Sequence, residues 1–148
     1  MTWKPHLTVA TIVQNKDTFL MVEESIEGAM QYNQPAGHLE PGETLIDAAI
    51  RETLEETAWH VRPEALVGIY RWINPGNNKT FLRFSFSASC LQHDKQRTLD
   101  ADINQALWMT LNDINTRSEA MRSPMVLQSL NDFIKGTRYP LSILKELE

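Results

Sequence analysis

Three glutamates near the middle of the chain have the types and spacing of a metal-binding group. Glu52, Glu55 and Glu56 stand at i, i+3 and i+4, so a helix would place them on one face. Each like-charged pair at such spacings costs roughly 0.2–0.5 kcal/mol, and only Arg51 lies close enough in sequence to compensate. A hard divalent cation such as Mg²⁺ prefers oxygen ligands and would offset the repulsion. The alternative is a solvated acidic helix surface, and charge geometry alone does not decide between the two.

The residues around these glutamates predict the helix that carries them. Pro41-Gly42 indicates a turn, and Thr44 is placed to cap a helix, with Asp47 reaching back to it. The positions spaced for packing against a core are Leu45, Ile46, Ala49, Ile50 and Thr53. The acidic face would therefore adjoin a face that is held against the rest of the protein.

The stretch from Gly37 to Trp59 resembles the Nudix box: glycine, five residues, glutamate, seven residues, then Arg-Glu-x-x-Glu-Glu. The matching positions are Gly37, Glu43, Arg51, Glu52, Glu55 and Glu56. A chance match at that many fixed positions is expected about once in 10⁸ starts. Two positions depart from the pattern, because Thr53 replaces an aliphatic residue and Ala58 replaces the glycine that ends the helix. We therefore expect this helix to end differently.

The Nudix resemblance implies a fold, a cofactor and a reaction. The fold is of the α/β class, an α/β/α sandwich with a mixed β-sheet between helices. The expected cofactor is Mg²⁺, with Mn²⁺ as a substitute. The reaction is hydrolysis of a phosphoric anhydride bond in a small-molecule diphosphate, by attack of water on phosphorus.

The resemblance also assigns roles within the site. The predicted catalytic residues are Arg51, Glu52, Glu55 and Glu56, with Glu52 as the candidate general base and Arg51 orienting the glutamates. The predicted metal ligands are Gly37, Glu52, Glu55, Glu56 and Asp102. Asp102 precedes the last predicted strand and is preferred to Asp100, although a surface loop aspartate is the alternative for both.

Residues outside the box could recognise the rest of the substrate. The candidates are Gln34, His38, Trp72, Phe81 and Arg83. Arg83 is preferred to Arg71 and Lys79 as the cation for phosphate oxygens. The two aromatic rings could stack on a heterocycle, although most strand aromatics belong to a core. The other histidines, His6, His60 and His93, form no recognisable constellation.

Segments beyond the box, such as Arg122-Ser123-Pro124 and Arg138-Tyr139-Pro140, resemble one group of bacterial Nudix phosphatases. This implies low selectivity, with nucleoside tri- and diphosphates and the hydroxymethylpyrimidine pyrophosphate of thiamine synthesis as substrates. A coenzyme or nucleotide-sugar pyrophosphatase would keep the same box. A non-catalytic ligand-sensing domain would lose box glutamates, and an isoprenoid diphosphate isomerase would need a catalytic cysteine, for which Cys90 is a weak candidate.

Length and composition bound the remaining possibilities. The 148 residues predict a single domain (1–148), with a core at about 3–135 and a C-terminal tail at 136–148. The net charge of −5 argues against binding of a nucleic-acid polymer. One cysteine excludes an intrachain disulfide, and neither a signal peptide nor a membrane span is recognisable, so we expect a cytoplasmic protein. A monomer and a homodimer are both compatible with the sequence.

Periodicity and turn residues predict the remaining elements. Strands are expected at 7–13, 18–24, 67–73, 80–91 and around 106–109, with an ambiguous segment at 61–66. Residues 25–32 are expected to form a polar loop, and 74–78 a turn. A short helix should begin at Asn112 or Asp113, and a longer one should run from Ser123-Pro124 to about Lys135, ended by Gly136.

Overall fold

The computed structural model describes residues 2–147, and within them the chain forms seven strands and three α-helices. The strands are β1 (His6–Asn15), β2 (Thr18–Ile26), β3 (Ala29–Asn33), β4 (Ala36–His38), β5 (Trp59–Ile73), β6 (Thr80–His93) and β7 (Ile103–Thr110). The helices are α1 (Leu45–Thr57), α2 (Leu111–Thr116) and α3 (Pro124–Ile134). Short 3₁₀ turns follow at Ser118–Ala120 and Leu141–Ile143.

The strands form one mixed sheet. Its order is β3-β2-β1-β6-β5, with β4 paired to β1 and β7 paired to β2. The pairing of β1 with β6 is parallel, from His6 opposite Phe81 to Val13 opposite Ala88, and the other pairings are antiparallel. The predicted mixed sheet is confirmed.

Helices cover both faces of this sheet. Successive side chains of a strand point to opposite faces, and β1 uses both. Val9 packs in a buried cluster with Ala48 and Ala49 of α1, whereas Ile12 packs with Val126 of α3. The α/β/α sandwich expected from the sequence is therefore the observed fold.

Helix α1 begins as predicted, but the way in which it ends was not predicted. The hydroxyl of Thr44 accepts a hydrogen bond from the Asp47 amide at 3.0 Å, which confirms the cap. At the other end Ala58 adopts the left-handed conformation (φ 63°) and donates its amide to the Leu54 carbonyl. The expectation that the helix would end differently without glycine is wrong. Ala58 takes the strained conformation, at a cost of about 1–2 kcal/mol, and its buried methyl group offsets part of that cost.

The other departure from the box, Thr53, is explained by a buried hydrogen-bond chain. Thr53 is fully buried and donates its hydroxyl proton to the Ala49 carbonyl at 2.7 Å. It thereby accepts from the hydroxyl of Thr11 on β1, at 2.8 Å. A polar pair thus links α1 to the central strand where an aliphatic side chain would make only packing contacts.

One expectation about strands is wrong, and one ambiguous segment is resolved. Residues 25–32 do not form a loop, because β2 continues to Ile26 and β3 begins at Ala29. Glu27 and Gly28 (φ 52° and 83°) form the two-residue turn between them, a conformation usually signalled by Asn-Gly. The ambiguous segment 61–66 belongs to β5, which continues through Pro63 with shifts in its pairing register. That strand lies at the end of the sheet order, where a proline without an N–H is tolerated.

The C-terminal third largely follows the sequence prediction. Helix α2 begins at Leu111, one residue earlier than expected, because Thr110 forms a capping box with Asp113. Helix α3 has Ser123 as its cap, and Gly136 (φ 92°) follows its end, both as predicted. Beyond it, Tyr139 exchanges two backbone hydrogen bonds with Leu66, at 2.8 and 2.9 Å. Among residues 2–147, the helices are all too short or too polar to cross a membrane.

We predict that the Thr11–Thr53 pair is energetically coupled. Thr53→Val leaves the Thr11 hydroxyl buried without its acceptor and should lower the free energy of unfolding by about 1–3 kcal/mol. Thr11→Val should cost less, because Thr53 keeps its bond to Ala49. The double variant has no orphaned hydroxyl and should be more stable than Thr53→Val alone. Urea denaturation of the four proteins measures this, and strictly additive losses would contradict it.

Candidate active site

An acidic cluster lies where the end of α1 meets the loop before β7. One carboxylate oxygen from each of Glu52, Glu56 and Asp100 lies within 4.8 Å of the others. The two glutamates are one helical turn apart on α1. Asp100 reaches them because its backbone amide donates to the Glu55 carbonyl at 3.0 Å, which docks the loop on the helix end. The helix and the loop together supply a three-carboxylate group.

These carboxylates are in an environment that disfavours their charged forms. Burial raises the pKa of Glu56 to about 9, against the opposing effect of the Ala36 amide that donates to it at 2.9 Å. Burial also raises the pKa of Glu52, although Arg51 opposes the shift. Asp100 has a raised pKa, first from desolvation and then from the charge of Glu55. Three carboxylates that resist joint ionisation form a donor set suited to a divalent cation.

Arg51 binds three of the carboxylates of the box. Its guanidinium binds Glu43 through two nitrogens, at 2.6 and 3.0 Å, and binds Glu52 and Glu55 at 2.8 Å each. It also donates to the His38 carbonyl at 3.0 Å. These bonds lower the pKa of Glu43 and raise that of Arg51. The predicted orienting contacts of Arg51 are present, whereas Glu56 lies outside them.

Gly37 is needed for close approach and not for an unusual backbone angle. A Cβ atom at this position would lie 2.1 Å from the Cδ of Glu52, so the carboxylate packs directly on the glycine backbone. Gly37 is the central residue of β4, which pairs with Thr8–Ala10 of β1. The first glycine of the box therefore lets a carboxylate of α1 reach the edge of the sheet.

A cavity of about 340 Å³ adjoins the acidic cluster at Ala36 and Gly37. Four of the predicted substrate-binding residues line it: His38, Trp72, Phe81 and Arg83. The rings of Trp72 and Phe81 are 5.8 Å apart, and Phe81 also stacks on His6 at 5.1 Å. Nδ1 of His6 and Nε2 of His38 are 3.1 Å apart. Desolvation of its ring, together with His6 and Lys79, lowers the pKa of His38.

Arg83 is a buried cation fixed by two amide side chains. It is 3% exposed and donates to Asn33 Oδ1 at 3.1 and 3.2 Å and to Gln34 Oε1 at 2.7 Å. Burial lowers its pKa to about 10, which still leaves it charged at neutral pH. Gln34 is itself 1% exposed, does not line the cavity, and donates to the Val126 carbonyl. The expectation that Gln34 contacts substrate is therefore wrong, because its amide holds Arg83 instead.

Four further residues were misjudged or missed from the sequence. Asp100 and Asp102 are both exposed, but only Asp100 belongs to the carboxylate cluster, so the structure favours Asp100 over the predicted Asp102. His6 was not expected to belong to a group of functional residues, but it lines the cavity beside His38. Glu24 and Arg122 were not predicted as site residues, and both line the cavity as an ion pair at 2.7 Å. Nothing in the local sequence indicates that a glutamate on a buried strand pairs with a distant arginine.

Comparisons with known proteins show the family of this chain. A model of the NUDIX domain matches residues 4–129. The chain belongs to the Nudix family. It is 41% identical to Phosphatase NudJ of Escherichia coli K12 over 142 residues, which cover 96% of this chain and 92% of that protein. It is 40% identical to Phosphatase NudJ of Shigella boydii over the same shares of both chains.

Solved structures show the same fold. A NUDIX hydrolase from Nitrosomonas europaea superimposes with a TM-score of 0.95 at 45% identity, over 97% of this chain and 98% of the other. A MutT protein from Methanosarcina mazei has a TM-score of 0.73 at 20% identity, over 93% and 100%, which shows a common fold. As a Nudix hydrolase the protein acts on phosphoric anhydride bonds of small-molecule phosphate compounds. The acidic cluster is compatible with the divalent metal that Nudix hydrolases generally use.

We predict that divalent-cation binding is coupled to proton release. The carboxyl of Glu56 is protonated below about pH 9 in the free protein, and a ligand to a cation must be ionised. Affinity for Mn²⁺ should therefore rise with pH, by up to about tenfold per unit, and level off above pH 9. Calorimetry in two buffers of different ionisation enthalpy measures the released proton. Glu56→Gln should weaken binding and flatten the pH dependence, and an unchanged slope in this variant would exclude Glu56 as its source.

Proposed function

We propose that this protein is a Mg²⁺-dependent pyrophosphohydrolase and phosphatase of low selectivity. Its proposed substrates are nucleoside tri- and diphosphates and the hydroxymethylpyrimidine pyrophosphate of thiamine synthesis. The observation that carries the proposal is the junction at Ala36 and Gly37, where the carboxylate cluster meets a cavity with a buried arginine and two neighbouring aromatic rings. The similarity to Phosphatase NudJ along almost the whole chain supports the phosphatase assignment. We take residues 1–148 as one functional domain, the tail included.

Glu52, Glu56 and Asp100 are the proposed cation ligands, with Glu55 and the Gly37 carbonyl as further candidates. Their raised pKa values and mutual proximity fit a divalent cation, proposed to be Mg²⁺ with Mn²⁺ as a substitute. When bound, such a cation neutralises charge on diphosphate oxygens and makes a bound water more acidic. Arg51 keeps Glu52 and Glu55 in place through hydrogen bonds that do not involve Glu56.

Glu52 is the proposed general base. In the proposed step its carboxylate accepts a proton from water as the water oxygen forms a bond to phosphorus. The bridging P–O bond breaks, and the electron pair leaves with the departing phosphate oxygen. Arg83, charged and fixed by Asn33 and Gln34, would hold a non-bridging phosphate oxygen through charge-assisted hydrogen bonds.

The rival functions differ in what they require of the chain. A ligand-sensing domain needs no intact catalytic box, whereas all the acidic positions of the box are present here. An isomerase needs a reactive cysteine in the site, but Cys90 lines a separate cavity beside Trp59 and Trp108, and burial raises the pKa of its thiol. A coenzyme or nucleotide-sugar pyrophosphatase is the second candidate, since it would use the same cluster with a different leaving group.

The proposed site makes a ranked prediction for three carboxylates. Glu56→Gln should lower kcat by roughly two to four orders of magnitude, because the residue lies on a rigid helix in the cluster. Asp100→Asn should cost about tenfold to a hundredfold. Asp102→Asn, an exposed neighbour outside the cluster, is the matched control and should cost less than about threefold. Phosphate-release rates at saturating Mg²⁺ measure all three, and small, equal losses would mean that the site is misplaced.

Substrate selection by stacking can be tested with Trp72→Ala. Base–aromatic stacking contributes about 1–3 kcal/mol, so kcat/KM should fall roughly fivefold to a hundredfold for nucleoside triphosphates and for the pyrimidine pyrophosphate. Inorganic pyrophosphate has no ring and serves as the control substrate, which should be affected much less. Wild-type activity on the panel should require Mg²⁺ and should release terminal phosphate from nucleoside triphosphates. Dominance of one nucleotide-sugar, or unchanged ratios in Trp72→Ala, would overturn this account.

A further inference from the structure

The ion pair between Glu24 and Arg122 is built into the wall of the cavity. Nη1 of Arg122 donates to Oε2 of Glu24 at 2.7 Å, across most of the length of the chain. Both backbones are fixed independently of this contact. Glu24 is paired with Ile103 of β7, and the Arg122 amide donates to the Tyr32 carbonyl at 2.8 Å. The pair is therefore held in place from two sides.

The two partners are unequally exposed. The Glu24 side chain is 9% exposed, whereas that of Arg122 is 43% exposed. A guanidinium has five N–H donors. Within residues 2–147, the bond to Glu24 is the only side-chain hydrogen bond of Arg122. Its remaining donors are thus available at a partly exposed position that lines the cavity.

The Glu24–Arg122 pair also lies close to the carboxylate cluster. Ile103, the strand partner of Glu24, donates its amide to the Asp100 carbonyl at 2.9 Å, so Glu24 is one strand away from the loop that carries the third carboxylate. The cavity thus contains two arginines of different character. Arg83 is buried and bonded to two amides, whereas Arg122 is partly exposed and retains free donors.

We propose that Arg122 is a specificity-determining residue that binds a third phosphate group of the substrate, and that Glu24 is the residue that positions it. The inference rests on the proposed function. In the proposed function the acidic cluster and Arg83 bind a diphosphate, whereas a triphosphate brings a further anion whose oxygens match the free donors of a guanidinium. Glu24 holds the long arginine side chain at the cavity and reduces the ordering required when substrate binds.

The test compares wild type, Arg122→Gln, Glu24→Gln and the double variant. The double variant keeps the net charge of the wild-type pair, so it removes the charged guanidinium without leaving a buried carboxylate unpaired. Arg71→Gln is the matched control, because Arg71 is exposed and outside the cavity. The readout is kcat/KM for a nucleoside triphosphate and for the diphosphate of the same base.

Arg122→Gln and the double variant should lower kcat/KM for the triphosphate by roughly tenfold to a hundredfold, the loss of a charge-assisted hydrogen bond. The loss for the diphosphate should be clearly smaller. Glu24→Gln should raise KM for the triphosphate with kcat nearly retained, since Arg122 keeps its charge but loses its anchor. Arg71→Gln should leave both substrates as in wild type.

A binding measurement separates recognition from turnover. Calorimetry with inorganic tripolyphosphate and pyrophosphate, in Ca²⁺, should show a preference for tripolyphosphate that Arg122→Gln removes. The inference would be overturned if Arg122→Gln and the double variant lost kcat/KM equally for both substrates. It would also be overturned if Arg122→Gln left the ratio of the tripolyphosphate and pyrophosphate affinities unchanged. If the wild type hydrolyses neither the nucleoside triphosphate nor the nucleoside diphosphate, the proposed function fails instead. Thermal denaturation of each variant identifies a folding defect, and the double variant still decides the question if Arg122→Gln does not fold.

Discussion

The constraint on which the rest of the site depends is the burial of Glu56. A carboxylate removed from water is costly unless it gains partners, and here the Ala36 amide supplies one hydrogen bond while Glu52 and Asp100 add further negative charge. Such an arrangement has little value for folding alone. The divalent cation proposed to bind the three carboxylates would make it favourable. The position of β4, which carries both Ala36 and Gly37, is therefore part of the site as much as of the sheet.

Arg51 divides the box carboxylates into two groups. Glu43 and Glu55 are bonded to its guanidinium, and Glu56 is left to the cluster, with Glu52 belonging to both groups. One always-charged, planar side chain thereby satisfies several acidic positions of the motif. Lysine would carry the same charge but could not form this fork of bonds. The requirement for arginine follows from the number and geometry of its donors.

The parts of the structure that could be predicted are those decided by neighbours in sequence. The cap at Thr44, the acidic face of α1 and the end of α3 depend on spacing within a few residues, and they were found. Asp100 could not be chosen over Asp102, because the choice is made by a backbone bond to Glu55, far away in the chain. Gln34 was misjudged for the same reason, since its burial against α3 depends on tertiary packing and not on its polarity.

The substrate cavity shows how the sheet itself builds a binding surface. The register places His6, Phe81 and Trp72 directly opposite one another across β1, β6 and β5, so their rings form a row perpendicular to the strands. Two residues further along β6, on the same face, Arg83 lies opposite Thr8. The i, i+2 relation of Phe81 and Arg83 is readable from the sequence. The row of rings cannot be read from the sequence, because it depends on the parallel pairing of β1 with β6. That pairing places a surface of aromatic rings next to a buried cation, beside the carboxylate cluster.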